Sequence, residues 1–292
     1  MITTALPGPL QYPFMVNAYL VGTIVSILAG VVGFFVVTRG VSFAAHALSH
    51  VGFAGAAGAV LVGIDPLMGL IVFCLGAALV MGLLGERLRG RDVAIGVVTA
   101  FSLGLGTLFL KLYTRYASEV ISILFGTILG VSVQEVVVTL ALGLLTVIAV
   151  VAIYRPLLFA SIDPEVAEAR GVPVRMLSIV FLLVVALAVA QAVQVVGVLL
   201  IFTLMVAPPA TAQYLMRTPG RAVMLGAALA LVETWIGITL AYYWSLPVSF
   251  FIATLSCGIY VAARLAAPRL PQTRAEHPHM AAPERVVEHH LG

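Results

Sequence analysis

The chain has 292 residues, of which 62% are hydrophobic and only 9% charged, with a mean hydropathy of +1.16. A soluble domain carries about 25% charged residues, so this composition excludes a soluble globular protein and indicates an integral membrane protein. The net charge of +3 is small. Its basic residues gather between apolar runs, where they act as topology signals rather than as a nucleic-acid footprint.

A helix crosses the hydrocarbon core with about 20 apolar residues. Nine runs reach roughly that length, at 14–38, 43–63, 66–86, 92–112, 132–153, 174–192, 195–216, 221–244 and 247–266. The expected fold class is all-α: a polytopic membrane helical bundle of eight or nine transmembrane helices over residues 14–266, with an N-terminal segment 1–13 and a tail 267–292. The opening MITTALPGPLQYPF has no basic n-region, so a cleaved signal peptide is not expected. Pro66, Pro156, Pro219 and Pro247 fall at or near span ends, where proline is tolerated. The segment 119–130, EVISILFGTILG, is too short to span and reads as a re-entrant or interfacial piece; if it spanned, the orientation downstream would invert. Cys74 and Cys257 both lie in apolar runs and are expected to be buried free thiols.

Orientation follows from the bias of Lys and Arg in short loops. With nine helices, Arg39, Arg87, Arg89, Arg91, Arg155, Arg170, Arg175, Arg217, Arg221 and the tail arginines share one side, and only Lys111 and Arg115 lie on the other. That places the N-terminus outside and the C-terminus in the cytoplasm.

The second span, FAAHALSHVGFAGAAGAVLVG at 43–63, departs from a plain lipid-facing helix. His46 and His50 are four residues apart, so on a helix both imidazoles point to one side. Ionisable groups at membrane depth face a bundle interior or a watery path. The following Gly52, Gly55, Ala56, Ala57 and Gly58 suit close packing by neighbouring helices. Neutral imidazole suits zinc and other borderline transition metals, and Ser49 offers a hydroxyl beside the pair. Two ligands are too few for a closed structural zinc site, which suits an ion that must be released; the alternative is a pair that only locks packing through hydrogen bonds.

The long polar loop 155–173, RPLLFASIDPEVAEARGVP, holds a helix start at Ser161-Ile162-Asp163-Pro164-Glu165, with Pro164 near the first turn and acids beside it. A helix of about two turns is expected there, as a connector or, through apolar neighbours such as Ile162, Val166 and Ala167, as a partner surface. Glu233, central in the eighth span, needs a partner, a proton or an ion; a structural hydrogen bond and a share in the histidine site are both open. Gln191 and Gln194 are weaker candidates. Pro208-Pro209 interrupts the seventh span, either as a broken helix of a transport path or as a simple kink. The tail, with His277, His279, His289 and His290, lacks the apolar content to fold alone and is expected to be disordered, with loose metal binding the alternative.

Several chemistries have no motif here. The only lysine, Lys111, has no P-loop context, and His46-Ala47-Leu48-Ser49-His50 lacks the glutamate of a zinc-protease helix. An enzyme is not indicated.

Four stretches taken in order, AHALSHVGFAGAAGA at 45–59, EVISILFGTILGVS at 119–132, SIDPEVAEARGV at 161–172 and GVLLIFTLMVAPPATAQYL at 197–215, resemble the permease subunits of bacterial ABC importers for zinc and manganese. The resemblance runs to about residue 266. It implies a type II ABC-importer-like dimeric core in the bacterial inner membrane, a separate cytoplasmic ATP-binding subunit, an extracytoplasmic metal-binding protein, and no covalent cofactor, the divalent metal being cargo. It also implies that Ile162, Asp163, Pro164, Glu165 and Ala167 belong to a coupling helix docked on the ATPase. The family's ligand region commonly reads acid-x-x-x-His; here His50 is kept and His46 stands where an Asp is common, which leans the metal set of His46, His50 and Glu233 toward zinc over manganese or iron. The competing readings are a permease for a metal chelate such as a siderophore or cobalamin, a stand-alone proton-coupled carrier using Glu233, and an intramembrane metalloenzyme.

Overall fold

The computed structural model describes residues 8–84, 91–112, 126, 128–244 and 246–266. Arg87, Arg89, Arg115, most of segment 119–130 and the tail histidines lie outside these residues. The described residues form helices α1 (Pro13–Thr38), α2 (Ser42–Val62), α3 (Pro66–Leu84), α4 (Arg91–Leu112), α5 (Val133–Ile162), α6 (Pro164–Ala169), α7 (Val174–Val196), α8 (Val198–Leu215), α9 (Pro219–Trp244) and α10 (Val248–Ala266), with 3-10 turns at Gly8–Gln11 and Ile128–Gly130. Eight of the helices are long and apolar enough to cross a membrane, and α8 is a shorter apolar ninth.

The α1, α2 and α7 helices are the most enclosed, while α4 and α5 are the most exposed. Along α5, Val137, Leu140, Leu144, Ile148 and Val151 are all exposed. Their spacing of three and four residues makes one outward apolar stripe, the face such a helix turns to lipid.

Small residues set the closest crossings. The α2 and α3 helices meet glycine on glycine: a β-carbon on Gly55 would lie 2.3 Å from the Gly69 carbonyl oxygen, and one on Gly69 2.1 Å from that of Gly55. No side chain fits there, which explains the glycines that follow the histidine pair. α1 packs against α9 through Gly30, where a β-carbon would meet Ala227 Cα at 2.3 Å. Hydrogen bonds pin the same antiparallel register: Ser26 Oγ donates to Thr234 Oγ1 at 2.7 Å and Trp235 Nε1 to Thr23 Oγ1 at 2.9 Å.

Contacts at the two ends agree with the loop charges. Arg39 Nη2 donates to Ser178 Oγ at 2.6 Å, joining the end of α1 to the start of α7. At the opposite end Asn17 Nδ2 donates to the Val131 carbonyl at 3.0 Å, and the Tyr12 and Tyr242 rings lie 6.1 Å apart. Arg39 and the α5–α7 loop therefore share one end of the bundle, with the start of α1 and the end of α9 at the other.

Three expectations change. The fifth span does not stop near Pro156: α5 runs through it to Ile162, so Arg155 is helical. Cys257 is exposed, not buried, because it lies on the outer side of α10; only Cys74 is buried. The prolines do not break their span, since α8 is helical through Pro208 and Pro209. Pro209 frees the Met205 carbonyl, and α1 closes over that oxygen at Gly33, where a β-carbon would come within 2.1 Å of it. The break in the helical path lies instead at Gly197, between α7 and α8, with φ +82° and ψ 163°, a conformation open essentially to glycine alone.

The Gly197 turn is deep. Gly33 of α1 abuts Met205, and Gln213 Nε2 donates to the Phe34 carbonyl and to Thr38 Oγ1, each at 3.1 Å, so α1 and α8 run parallel. Counting back from Met205 puts Gly197 level with about residue 25 of α1, some ~18 Å below the start of α1 at 1.5 Å per residue. Non-helical backbone at that depth must be covered by protein or face a cavity. Val195, Val196 and Val198 are buried, and Gly126 sits against the turn, where a β-carbon would meet the Val196 carbonyl carbon at 2.4 Å. Val131 reaches Asn17 and Ile128 lies near Gly22. The described end of segment 119–130 thus descends along α1 into the bundle, as a re-entrant piece does.

Candidate metal site

His46 and His50 lie on the second and third turns of α2. Both side chains are half-buried, whereas Ala45, Ala47, Leu48 and Ser49 between and beside them are buried. The buried side of α2 is held by α3, where Cys74 Sγ contacts the Leu48 carbonyl at 3.4 Å. The glycine crossing and this contact fix the roll of α2, and the roll turns the two imidazoles away from α3, toward α8.

The two Nε2 atoms are 3.2 Å apart, with the rings edge to face and their centroids 4.6 Å apart. A hydrogen bond at that distance requires one ring to donate and the other to accept. Both Nδ1 atoms are buried without a partner. An unsatisfied buried polar atom costs about 1–3 kcal/mol, and among the described residues no neighbouring helix supplies a hydrogen bond to either Nδ1. The Nε2 separation also suits a shared ion, because two nitrogens on one tetrahedral zinc, each at about 2.0–2.1 Å, lie about 3.3 Å apart. Ser49 takes no part; its hydroxyl donates back to the Ala45 carbonyl at 3.2 Å.

Phe202 of α8 stacks on the His46 ring, with centroids 4.6 Å apart and planes tilted by 59°. This contact places His46 level with about residue 30 of α1, about two-thirds of the way along that helix. The sequence offered no signal for Phe202, an apolar residue in an apolar run; it is singled out only by the fold.

Glu233 is 1% exposed. Its Oε2 accepts a short hydrogen bond from the Ser256 hydroxyl of α10, and its Oε1 has no partner. The structure does not bring it to the histidines: among the described residues, no three His, Cys, Asp or Glu side chains are grouped to hold an ion. Gln191 is buried beside Thr146, its Nε2 at 3.4 Å from Thr146 Oγ1, and Gln194 is half-buried; neither joins the pair.

The polar loop folds much as its sequence indicates. Asp163 caps α6 by accepting from the Val166 amide at 3.0 Å, and Pro164 opens the helix. Ile162, Val166 and Phe159 are exposed, as are Asp163, Pro164 and Glu165. Ala167 is fully buried, packed inward where a docking partner does not reach it.

The model of a family described as "ABC 3 transport family" matches residues 11–267. A manganese transport system membrane protein of Listeria innocua is 30% identical over 265 residues, covering 90% of this chain and 94% of that protein. A probable iron transport system membrane protein of Haemophilus influenzae is 31% identical over 258 residues, covering 87% and 94%. Among solved structures, the complex titled PsaBC from Streptococcus pneumoniae with Fab aligns with a TM-score of 0.81 at 27% identity, covering 92% of this chain and 97% of that one.

Proposed function

The chain belongs to the ABC 3 transport family, and on that premise we propose that it is the permease of an ATP-driven importer carrying a divalent transition-metal ion across the bacterial cell membrane into the cytoplasm. The observation that carries this reading is the histidine pair: two half-buried imidazoles at membrane depth, Nε2 atoms 3.2 Å apart, with no hydrogen bond from any neighbouring helix among the described residues. Such a pair holds a cation by exchangeable contacts. Relatives named for manganese and iron transport support the cargo class.

Within that class the donor set favours zinc. Nitrogen donors bind zinc more tightly than manganese in the Irving–Williams order, whereas manganese prefers oxygen. Glu233, held by Ser256, supplies no oxygen ligand to the pair in this state.

The chain has no nucleotide site of its own in this reading; a cytoplasmic ATP-binding subunit hydrolyses ATP. The docking face is α6 with its exposed flank, Phe159, Ile162, Glu165 and Val166, and Asp163 holds that helix in shape. A second permease copy or paralogue and an extracytoplasmic metal-binding protein complete the importer. A stand-alone proton-coupled carrier is replaced by this reading, since ABC transport draws on a separate ATPase.

The test is radioactive zinc and manganese uptake into vesicles holding the assembled transporter. His46→Ala/His50→Ala abolishes uptake of the cargo at normal expression, and zinc outcompetes manganese in the wild type. Unchanged uptake in the double variant overturns the site, and a manganese preference overturns the zinc assignment alone.

A further inference from the structure

We propose that Phe202 is a selectivity-determining residue: its ring walls off one side of the His46–His50 pair, disfavouring cations that keep six ligands and favouring those satisfied with four. This rests on the reading that the pair holds the cargo.

The two imidazoles supply two donors, and among the described residues no third His, Cys, Asp or Glu is grouped with them. The remaining ligands of an ion held there are water, groups brought in by movement or groups of the second permease copy. Zinc needs two more to complete a tetrahedron, whereas manganese takes six, mostly oxygen, in an octahedron. Phe202 stacks on His46 at 4.6 Å between centroids, and a phenyl ring offers no lone pair in place of the water it excludes. The wall is also firmly mounted. Three residues on, Met205 is closed over by Gly33 of α1, and at the far end of α8 Gln213 is bonded twice to α1. The ring is thus held against His46 by α8 as a whole.

The experiment is displacement of bound radioactive zinc by manganese on the assembled, full-length transporter in lipid nanodiscs. In the wild type a large excess of manganese is needed. In Phe202→Ala that excess falls by about tenfold, at the lower end of the 10–100-fold effects that supporting residues exert on metal sites, because manganese gains room for water while zinc is little affected. Phe202→Val is measured alongside; it keeps an apolar side chain on α8 without ring-sized cover and shows the same fall if the alanine variant does not assemble. An unmoved ratio in both variants, or an equal weakening of the two metals, overturns the proposal, since a ring that merely props His46 acts on both alike. Wild-type zinc binding in His46→Ala/His50→Ala overturns the site itself, and is told apart because the Phe202 variants are judged only where zinc binding depends on the histidines.

Discussion

Among the described residues, two places hold His or Glu side chains at membrane depth, and they are built differently. The His46 and His50 rings contact each other, and His46 contacts the Phe202 ring; both are half-buried, and their two Nδ1 atoms are without hydrogen-bond partners. Glu233 is enclosed, gripped by Ser256, and set beside a second buried pair, Ser26 and Thr234. The first arrangement takes no hydrogen bond from a neighbouring helix among the described residues, as suits the ligand-exchanging site proposed above. The second ties α9 to α10 and α1, although Glu233 Oε1 is also without a partner. In the proposed reading, the hydrogen bonds that a neighbouring helix provides separate a transport ligand from a structural group.

The sharpest way to break that contrast is to remove each member. His46→Ala/His50→Ala is expected to abolish zinc uptake, with thermal stability in detergent nearly unchanged; a large drop in stability with uptake intact would reverse the assignment. Gly55→Leu sharpens it from another direction. Forcing a side chain into the α2–α3 crossing costs about 1–3 kcal/mol or more and rolls the histidines out of line with α8, so both melting temperature and uptake fall. Glu233→Ala is expected to cost about 1–3 kcal/mol by leaving Ser256 unpaired in a buried site, read as a lower melting temperature, while uptake per folded transporter stays close to wild type. Asp163→Ala removes the cap of α6 and costs about 1 kcal/mol locally, seen as weaker stimulation of ATP hydrolysis with metal binding intact. Glu233→Gln, which preserves the contact to Ser256, has the smallest effect of the set; complete loss of uptake in this variant would move Glu233 into the transport path.

Much of this was legible in the sequence because it is written in local patterns. Apolar length gave nine spans, the i, i+4 spacing placed both imidazoles on one side of α2, and Asp163-Pro164 marked the start of α6 through capping chemistry that needs no tertiary context. What escaped depends on neighbours. Pro208-Pro209 looked like the break because proline removes donors, yet α8 stays helical there, with Gly33 of α1 closing over the Met205 carbonyl. Gly197 looked like one more small residue in VVGVLL, yet it makes the turn. Ala167 and Ile162 read alike as apolar residues near charges, and only the packing of α6 shows one buried and the other exposed. Phe202 gained its place solely through the level at which α8 meets α2. Glu233 read as a possible companion of the histidines, and its position beside Ser256 lay beyond what helical periodicity can state.

The elbow at Gly197 carries a consequence for biogenesis. Peptide groups released from helical pairing at hydrocarbon depth find no partner among acyl chains, so α7 and α8 cannot rest in lipid as an isolated hairpin. Their resting place is created by α1 and by the chain around Gly126, both made earlier on the ribosome. Insertion of α8 therefore waits on an assembled N-terminal half, and a truncated C-terminal fragment expressed alone will be an early target of membrane quality-control proteases.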